Sequence, residues 1–455
     1  MQGLTLLVAI IGSGLILLTR PRWWLPIFLG VVAFYPCNLT VPLGTIDFTA
    51  GRIVTFVMLA KGLMFSNIFR GFKLIWLDKL IIIYFIAQIA AGSATMDMGE
   101  LLENRAGAIC DLMLPYFIVR AVMKKKEDYL FFIKAAMVIA VPIAVLGIFQ
   151  SITGINPYEP LRQYAAWGAR SAEQSAQTRY GLYRATGSFP QPIMFGLYFA
   201  MLGPMAVGLY HYIQNKPFFY MGIAAMGVGA FSSLSSGPYF AAALSGLFIA
   251  MYHYRKKWKT LVLIAALMCL TVEVISNRHF YEVLDRFSLS GSAVWYRSRL
   301  IEVALFEGGM NNHWVVGYGH SDPNWGPRID GRSFSDVVNH YLVVLCRYGL
   351  VGLIPFLTIV GTAMWKLVKV FKKNSRTRDA WMLWCFSGAM FGTLIAMNSV
   401  MLFGPPWTIF YIMLALCAQI PSYFAQSVRY VRVYYPQEIP AEIIAFEENK
   451  GNVTI

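Results

Sequence analysis

The stretch KKKEDYLFFIKAAMVIAVPIAVLGIFQSI (residues 124–152) decides the fold class. Lys124, Lys125 and Lys126 precede a mostly apolar run from Tyr129 to Ile152. A helix that crosses a bilayer needs roughly 17–25 such residues, and flanking basic residues keep the adjoining loop cytoplasmic. The same pattern recurs along the chain, with apolar segments near 3–19, 25–43, 50–68, 79–96, 103–123, 129–152, 187–210, 218–234, 237–254, 260–277, 337–365, 380–399 and 404–424. The reading is an all-α polytopic membrane protein. About 12–13 transmembrane helices occupy residues 1–424, and a cytoplasmic tail follows at 425–455. Residues 3–19 have no basic stretch before them and are followed by Arg20 and Arg22, so they read as an uncleaved first helix.

Composition agrees. Of 455 residues, 57% are hydrophobic and 13% charged, whereas a soluble globular protein has about a quarter charged. A cytosolic enzyme and a disordered chain are both excluded. The net charge, 38 − 23 = +15, would raise nucleic acid as a partner of a soluble protein. Here the basic residues lie in short runs between apolar segments, as orientation signals do, and the expected partner is a lipid bilayer with no nucleic acid. Cys37, Cys110, Cys269, Cys346, Cys385 and Cys417 fall singly in or beside apolar stretches without a CxxC pair. They read as small buried hydrophobes. No HExxH, Walker A, GxSxG or DxD-type run is present, so no metal or nucleotide cofactor is indicated.

The basic runs Arg20/Arg22, Arg70/Lys73, Lys124–Lys126, Arg255–Lys259 and Lys366–Arg378 fall on one side of this threading. Two longer loops, 153–186 and 278–336, fall on the other, extracytoplasmic side. They contain no lysine but ten arginines: Arg162, Arg170, Arg179, Arg184, Arg278, Arg286, Arg297, Arg299, Arg328 and Arg332. Either arginine is favoured there as the better partner for loop carboxylates, or its planar fork meets a phosphate or pyrophosphate.

Three clusters carry chemistry. In the first, Arg184 precedes Ala-Thr186-Gly187-Ser188-Phe-Pro190 at the entry to the apolar segment 187–210. Thr186 or Ser188 is expected to cap that helix, and Arg184 beside its N-terminus is either an anion site or an interfacial side chain. The second holds Asp285-Arg286-Phe287, then Tyr296-Arg297-Ser-Arg299, then the turn Gly317-Tyr318-Gly319-His320. The third is Asp336-Val-Val-Asn339-His340-Tyr341-Leu342 with Arg347 seven positions on, two helical turns deeper on the same face. A charge at that depth is costly unless paired or facing a cavity, so Arg347 is a site candidate. His340 is either a proton acceptor at the helix mouth or an interfacial imidazole. Arg105, at the outer end of segment 103–123, is a further candidate, and Arg120 reads as a cytoplasmic anchor.

These pieces in their order resemble the O-antigen ligase and polymerase superfamily, across roughly residues 100–365. The elements are Leu114-Pro-Tyr-Phe-Ile-Val-Arg120, Arg184-Ala-Thr-Gly-Ser-Phe189, Arg297 before Ala304-Leu305, Gly317-Tyr-Gly319, and Asn339-His-Tyr-Leu342 followed by Gly349-Leu-Val-Gly352. Val338 stands where the family usually has a histidine, Ile301 where a tryptophan is frequent, and Arg347 where a carboxylate is frequent. The resemblance implies a GT-C-like membrane fold at the bacterial inner membrane with its site on the periplasmic or outer face. It implies inverting, metal-independent transfer of a glycan from a polyprenyl-pyrophosphate donor to a glycan or lipid-linked acceptor, with other polysaccharide assembly proteins as further partners. On that reading Arg184 and Arg297 meet the pyrophosphate, and His340 accepts the acceptor's proton with Asp336 as its substitute or orienter. Arg299, Arg347, Arg286, Arg105, Asn339 and Tyr341 line the substrates. The leading reading is polymerisation of exopolysaccharide or O-antigen units. A ligase differs only in its acceptor, and a transporter or flippase of lipid-linked sugars is the alternative from another class.

Overall fold

A computed structural model describes residues 2–44, 46–166, 178–275 and 291–433. Helices α1 (Gln2–Leu18) and α2 (Trp24–Phe34) lead into an antiparallel hairpin, β1 (Thr40–Leu43) and β2 (Ile46–Thr49), with Thr40 opposite Thr49. Next come α3 (Ala50–Met64), α4 (Trp76–Ser93), α5 (Met98–Ala108), α6 (Leu114–Val122) and α7 (Lys126–Thr153). A small hairpin, β3 (Thr178–Arg179) and β4 (Leu182–Tyr183), precedes α8 (Pro192–Val207), α9 (Lys216–Ser232), α10 (Ser236–Ala250) and α11 (Trp258–Ile275). The chain continues with α12 (Gly291–Ile301), α13 (His340–Asn374), α14 (Asp379–Ala396) and α15 (Pro405–Val433).

The fold is all-α, and each of the thirteen expected apolar ranges holds helix. Five helical stretches are long and apolar enough to cross a membrane: α4, α7, α13, α14 and Pro405–Phe424 of α15. Others, including Gln2–Leu18, Pro21–Phe34 and Pro192–Val207, are apolar but shorter. The expected range 25–43 overran: the helix stops at Phe34, and the Thr-Val-Pro-Leu stretch that follows is strand β1, turned by Gly44 at φ 69°. Local chemistry sets other ends. Thr49 caps α3 through Arg52 N (3.1 Å), and Gly154 in the left-handed region closes α7.

Helix α8 is apolar all round and sits at the centre, packed by α7, α9, α10, α14 and α15. Peripheral helices instead turn large apolar side chains outward, among them Ile10 and Ile11 of α1, Ile86 of α4 and Val145 of α7. A water-soluble protein hides such surfaces, whereas a membrane protein offers them to lipid.

At one end of the bundle Asp78, fully buried at the start of α4, accepts from Arg120 Nε (2.9 Å), Arg120 Nη2 (2.7 Å) and the Tyr116 hydroxyl (2.7 Å). Arg120 also donates to Gln419 Oε1 of α15 at 2.7 Å. The expected surface anchor is therefore the cation of a buried ion pair joining α4, α6 and α15. It points inward because a carboxylate is waiting there.

Candidate functional site

At the other end, a cavity of about 630 Å³ opens between α2, α3, α4, α5, α13 and the segment before α15. Its charged and polar lining includes Arg52, Gln88, Glu100, Glu103, Asn104, Arg105, Asp111, His320, His340, Arg347 and Tyr348. This end lies opposite the lysine runs at 124–126 and 255–257, because helices that begin or end at those runs have their other ends here.

Arg347 owes its place to a break in α13. Gly349 has φ 57° and ψ −158°, a conformation essentially confined to glycine. The lost helical bonds are replaced by the segment 314–319, which runs past the break. Tyr318 N donates to Cys346 O (2.6 Å), Gly319 N to Arg347 O (3.1 Å), Leu350 N to Trp314 O (2.7 Å) and Val351 N to Val315 O (3.1 Å). A Cβ on Gly349 would strike the Val315 carbonyl, and one on Gly317 (φ 75°) would strike Cys346 O. The Gly317-Tyr-Gly319 motif, expected as a flexible turn, is thus an ordered clasp. It carries His320 to the cavity wall and holds Arg347 beside it. Leu300, Val303, Ala304, Trp325 and Ile329 form a small core with Leu342, Leu345 and Cys346, so the described part of the 278–336 loop is folded onto the first turns of α13.

The arginines of the cavity differ in how they are paired. Arg52 is bidentate to Asp111, at 2.9 and 2.6 Å, and donates to Asp47 O at 2.5 Å. Arg105, 6% exposed, is held by neutral groups: Gln88 Oε1, Asn104 Oδ1 and, at 2.7 Å, the Tyr348 hydroxyl, whose ring also lies under its guanidinium. The Arg347 side chain forms no hydrogen bond or ion pair among the described residues. The lining also contains four carboxylates: Asp111 is committed to Arg52, Asp47 is half-buried, and Glu100 and Glu103 are exposed. Arg105 and the Arg347 side chain have no carboxylate partner among the described residues, and a cation so placed is costly at depth unless an anion joins it.

His340 is buried against Trp407 (ring centroids 4.4 Å apart) and Phe356. Its Nδ1 accepts from Leu402 N at 3.2 Å, and its buried Nε2 has no partner. A backbone N–H can only donate, so Nδ1 carries the lone pair and the neutral ring keeps its proton on Nε2. In this tautomer neither ring nitrogen has a free lone pair, which does not suit the expected role of proton acceptor.

Of the residues expected at the site, His340, Arg347 and Arg105 meet in this cavity. Arg184 does not line it. It is buried elsewhere, donating to Ser235 Oγ (2.9 Å) at the α9–α10 turn. Thr186 and Ser188 do not cap α8, whose N-cap is Gln191 without a side-chain bond. Thr186 Oγ1 is taken by Gln150, Asn156 and Arg162, and Ser188 donates to Ala33 O. Proximity in sequence to a helix entry misled because Pro190 and Pro192 delay the helix beyond those hydroxyls. Arg297 and Arg299 lie on α12, outside the lining, and Arg299 pairs with Glu302 (3.0 Å) and Glu307. That pairing holds the Glu307 carboxyl below its usual range. Asp336 is exposed, its amide bonded to the Tyr296 hydroxyl (3.0 Å). Asn339 caps α13 through Leu342 N (3.1 Å), and Tyr341 donates to Leu394 O (2.8 Å), so both serve structure. Arg286 lies outside the described residues.

Arg52 and Asp111 were missed. Both were visible as charges within apolar segments on the lysine-free side, a costly placement that by itself marks a candidate. His320 has no partner at helical spacing in the sequence, because its partner Glu100 stands 220 residues away. No protein-family model matches the chain, and no curated protein is significantly similar to it.

Proposed function

We propose that the cavity binds the pyrophosphate of a polyprenyl-pyrophosphate-linked glycan at the extracytoplasmic face of the bacterial inner membrane, and that the protein transfers the glycan to a sugar hydroxyl in polymerising exopolysaccharide or O-antigen units. The observation that carries this reading is the pair Arg105 and Arg347, two guanidiniums without a carboxylate partner among the described residues, lining one cavity with His340 and His320. A leaving pyrophosphate needs preorganised positive charge and donors where its own charge grows. Its diphosphate suits two planar forks. The orientation follows from the lysine runs at the opposite end. A ligase would use the same donor chemistry with a different acceptor.

One observation favours a second reading, transport. Helix α13 is broken at Gly349, and broken helices that line polar cavities are a transporter device. Against it, the cavity charges gather toward one end of the bundle. The experiment is glycan transfer by purified protein in detergent with EDTA, from a polyprenyl-pyrophosphate donor to varied acceptors. Turnover by the wild type, lost in Arg105→Ala and Arg347→Ala with the fold intact, supports transfer. Absence of turnover, with donor movement across proteoliposomes that needs both arginines, supports transport.

A further inference from the structure

We propose that His320, oriented by Glu100, is the proton acceptor of this cavity. The inference rests on the transfer reading above and names the residue that the reading leaves open, since His340 presents a donor. His320 lies just past the Gly317–Gly319 clasp and lines the cavity, with about a quarter of its side chain exposed (24%). Its Nδ1 is 2.9 Å from Glu100 Oε1 and its Nε2 is 3.0 Å from Asn104 Nδ2.

The tautomer follows from a chain of bonds in which each partner has only one choice. Arg105 can only donate, so the Asn104 oxygen faces it, as observed. The Asn104 amide nitrogen is thereby turned to His320 and donates to Nε2. That nitrogen must accept, so the neutral ring carries its proton on Nδ1 and gives it to the Glu100 carboxylate. A carboxylate–imidazole pair at a cavity wall, its far nitrogen an acceptor held only by a neutral amide, has the parts of a general base and its orienter. His320 and His340 thus line the same cavity in opposite tautomers, with the proton on Nδ1 in His320 and on Nε2 in His340.

The step balances. An acceptor hydroxyl displaces the Asn104 amide from Nε2 and gives its proton to that nitrogen while its oxygen bonds the anomeric carbon of the donor. The bond from that carbon to the pyrophosphate oxygen breaks, and its electron pair leaves on the pyrophosphate, held by Arg105 and Arg347. Glu100 stabilises the imidazolium, which then releases the proton to water. Because Arg105 anchors Asn104, anion binding and the orientation of His320 are linked through two hydrogen bonds.

The charged groups acting on His320 are Glu100 and Arg105 of α5 and Arg347 of α13. Burial and Arg347 hold the imidazole below its ordinary value, and Glu100 opposes them. The ring is therefore neutral, and able to accept, at neutral pH and somewhat below it.

Two measurements test the proposal. In ¹⁵N-histidine-labelled protein in detergent, long-range ¹H–¹⁵N correlations report each tautomer, with assignment by His320→Gln and His340→Gln. The expected result is Nδ1–H at His320 and Nε2–H at His340, and Nε2–H at His320 would overturn the proposal whatever the activity. In the transfer assay, His320→Gln and Glu100→Gln are expected to lower kcat by about 10²-fold, with donor KM within about twofold of wild type. In Glu100→Gln the acid limb of the rate profile moves to lower pH, because the group that raises the imidazole is gone. Glu100→Gln also serves should His320→Gln fail to fold. Transfer by His320→Gln within about threefold of wild type, with His340→Gln inactive, would sink the proposal and leave the transfer reading standing. No transfer by the wild type under any acceptor would sink both.

Discussion

Two arginine clusters sit toward opposite ends of α4, α5–α6 and their neighbours, and they are built differently. At the lysine-rich end Arg120 is locked to Asp78, with Tyr116 and Gln419 completing the shell. At the other end Arg105 is surrounded by neutral acceptors, and Arg347 by none, at the edge of a cavity. The same residue type serves both. The presence or absence of a carboxylate separates a clamp from a binding site. A closed pair contributes by avoiding a stranded charge, whereas an open cluster raises the cost of the empty state and lowers it when an anion arrives.

The largest expected effect tests the closed cluster. Asp78→Ala strands Arg120 in the interior and is expected to cost about 3–5 kcal/mol, seen as a lowered unfolding midpoint in detergent. Next is Arg347→Ala in the open cluster. Donor turnover falls by about 10²-fold, equivalent to about 2.7 kcal/mol, while the apo protein keeps its unfolding midpoint because no ion pair is lost. A large midpoint shift in Arg347→Ala, or none in Asp78→Ala, would erase the distinction between the clusters. Gly349→Ala probes the clasp between them. Backbone strain of about 1–3 kcal/mol, added to the clash with Val315, should loosen segment 314–319, read as faster amide exchange at Tyr318, Gly319 and Leu350. The smallest effect is Arg184→Ala, which should leave transfer within about threefold of wild type, because Arg184 is bonded to Ser235 away from the cavity. Loss of transfer in that variant, with the fold intact, would restore the helix-entry arginine to the site.

The helices were largely legible because their signal is local. The run from Tyr129 to Ile152 needs no partner to declare itself, and the helix found there spans Lys126–Thr153. The cavity was legible only in fragments. Arg347 stands out by its depth and His340 by its place at a helix mouth, and both line the cavity, as does Arg105 from the end of its segment. Arg184 had the better local argument, an arginine before a helix, and lies elsewhere. Gly317 and Gly319 read as turn formers and Gly349 only as a glycine inside an apolar segment, yet the three make one clasp across some thirty residues of chain.

The sequence by itself determined where the helices lie and which end of the bundle carries the lysines, since partition into lipid and charge bias are sums over residues in order. Only the tertiary structure decided which arginines are paired, which histidine accepts and which donates, and whether a glycine bends or clasps. Those properties depend on hydrogen-bond partners such as Glu100 for His320 and Leu402 for His340, brought within about 3 Å by packing between distant segments.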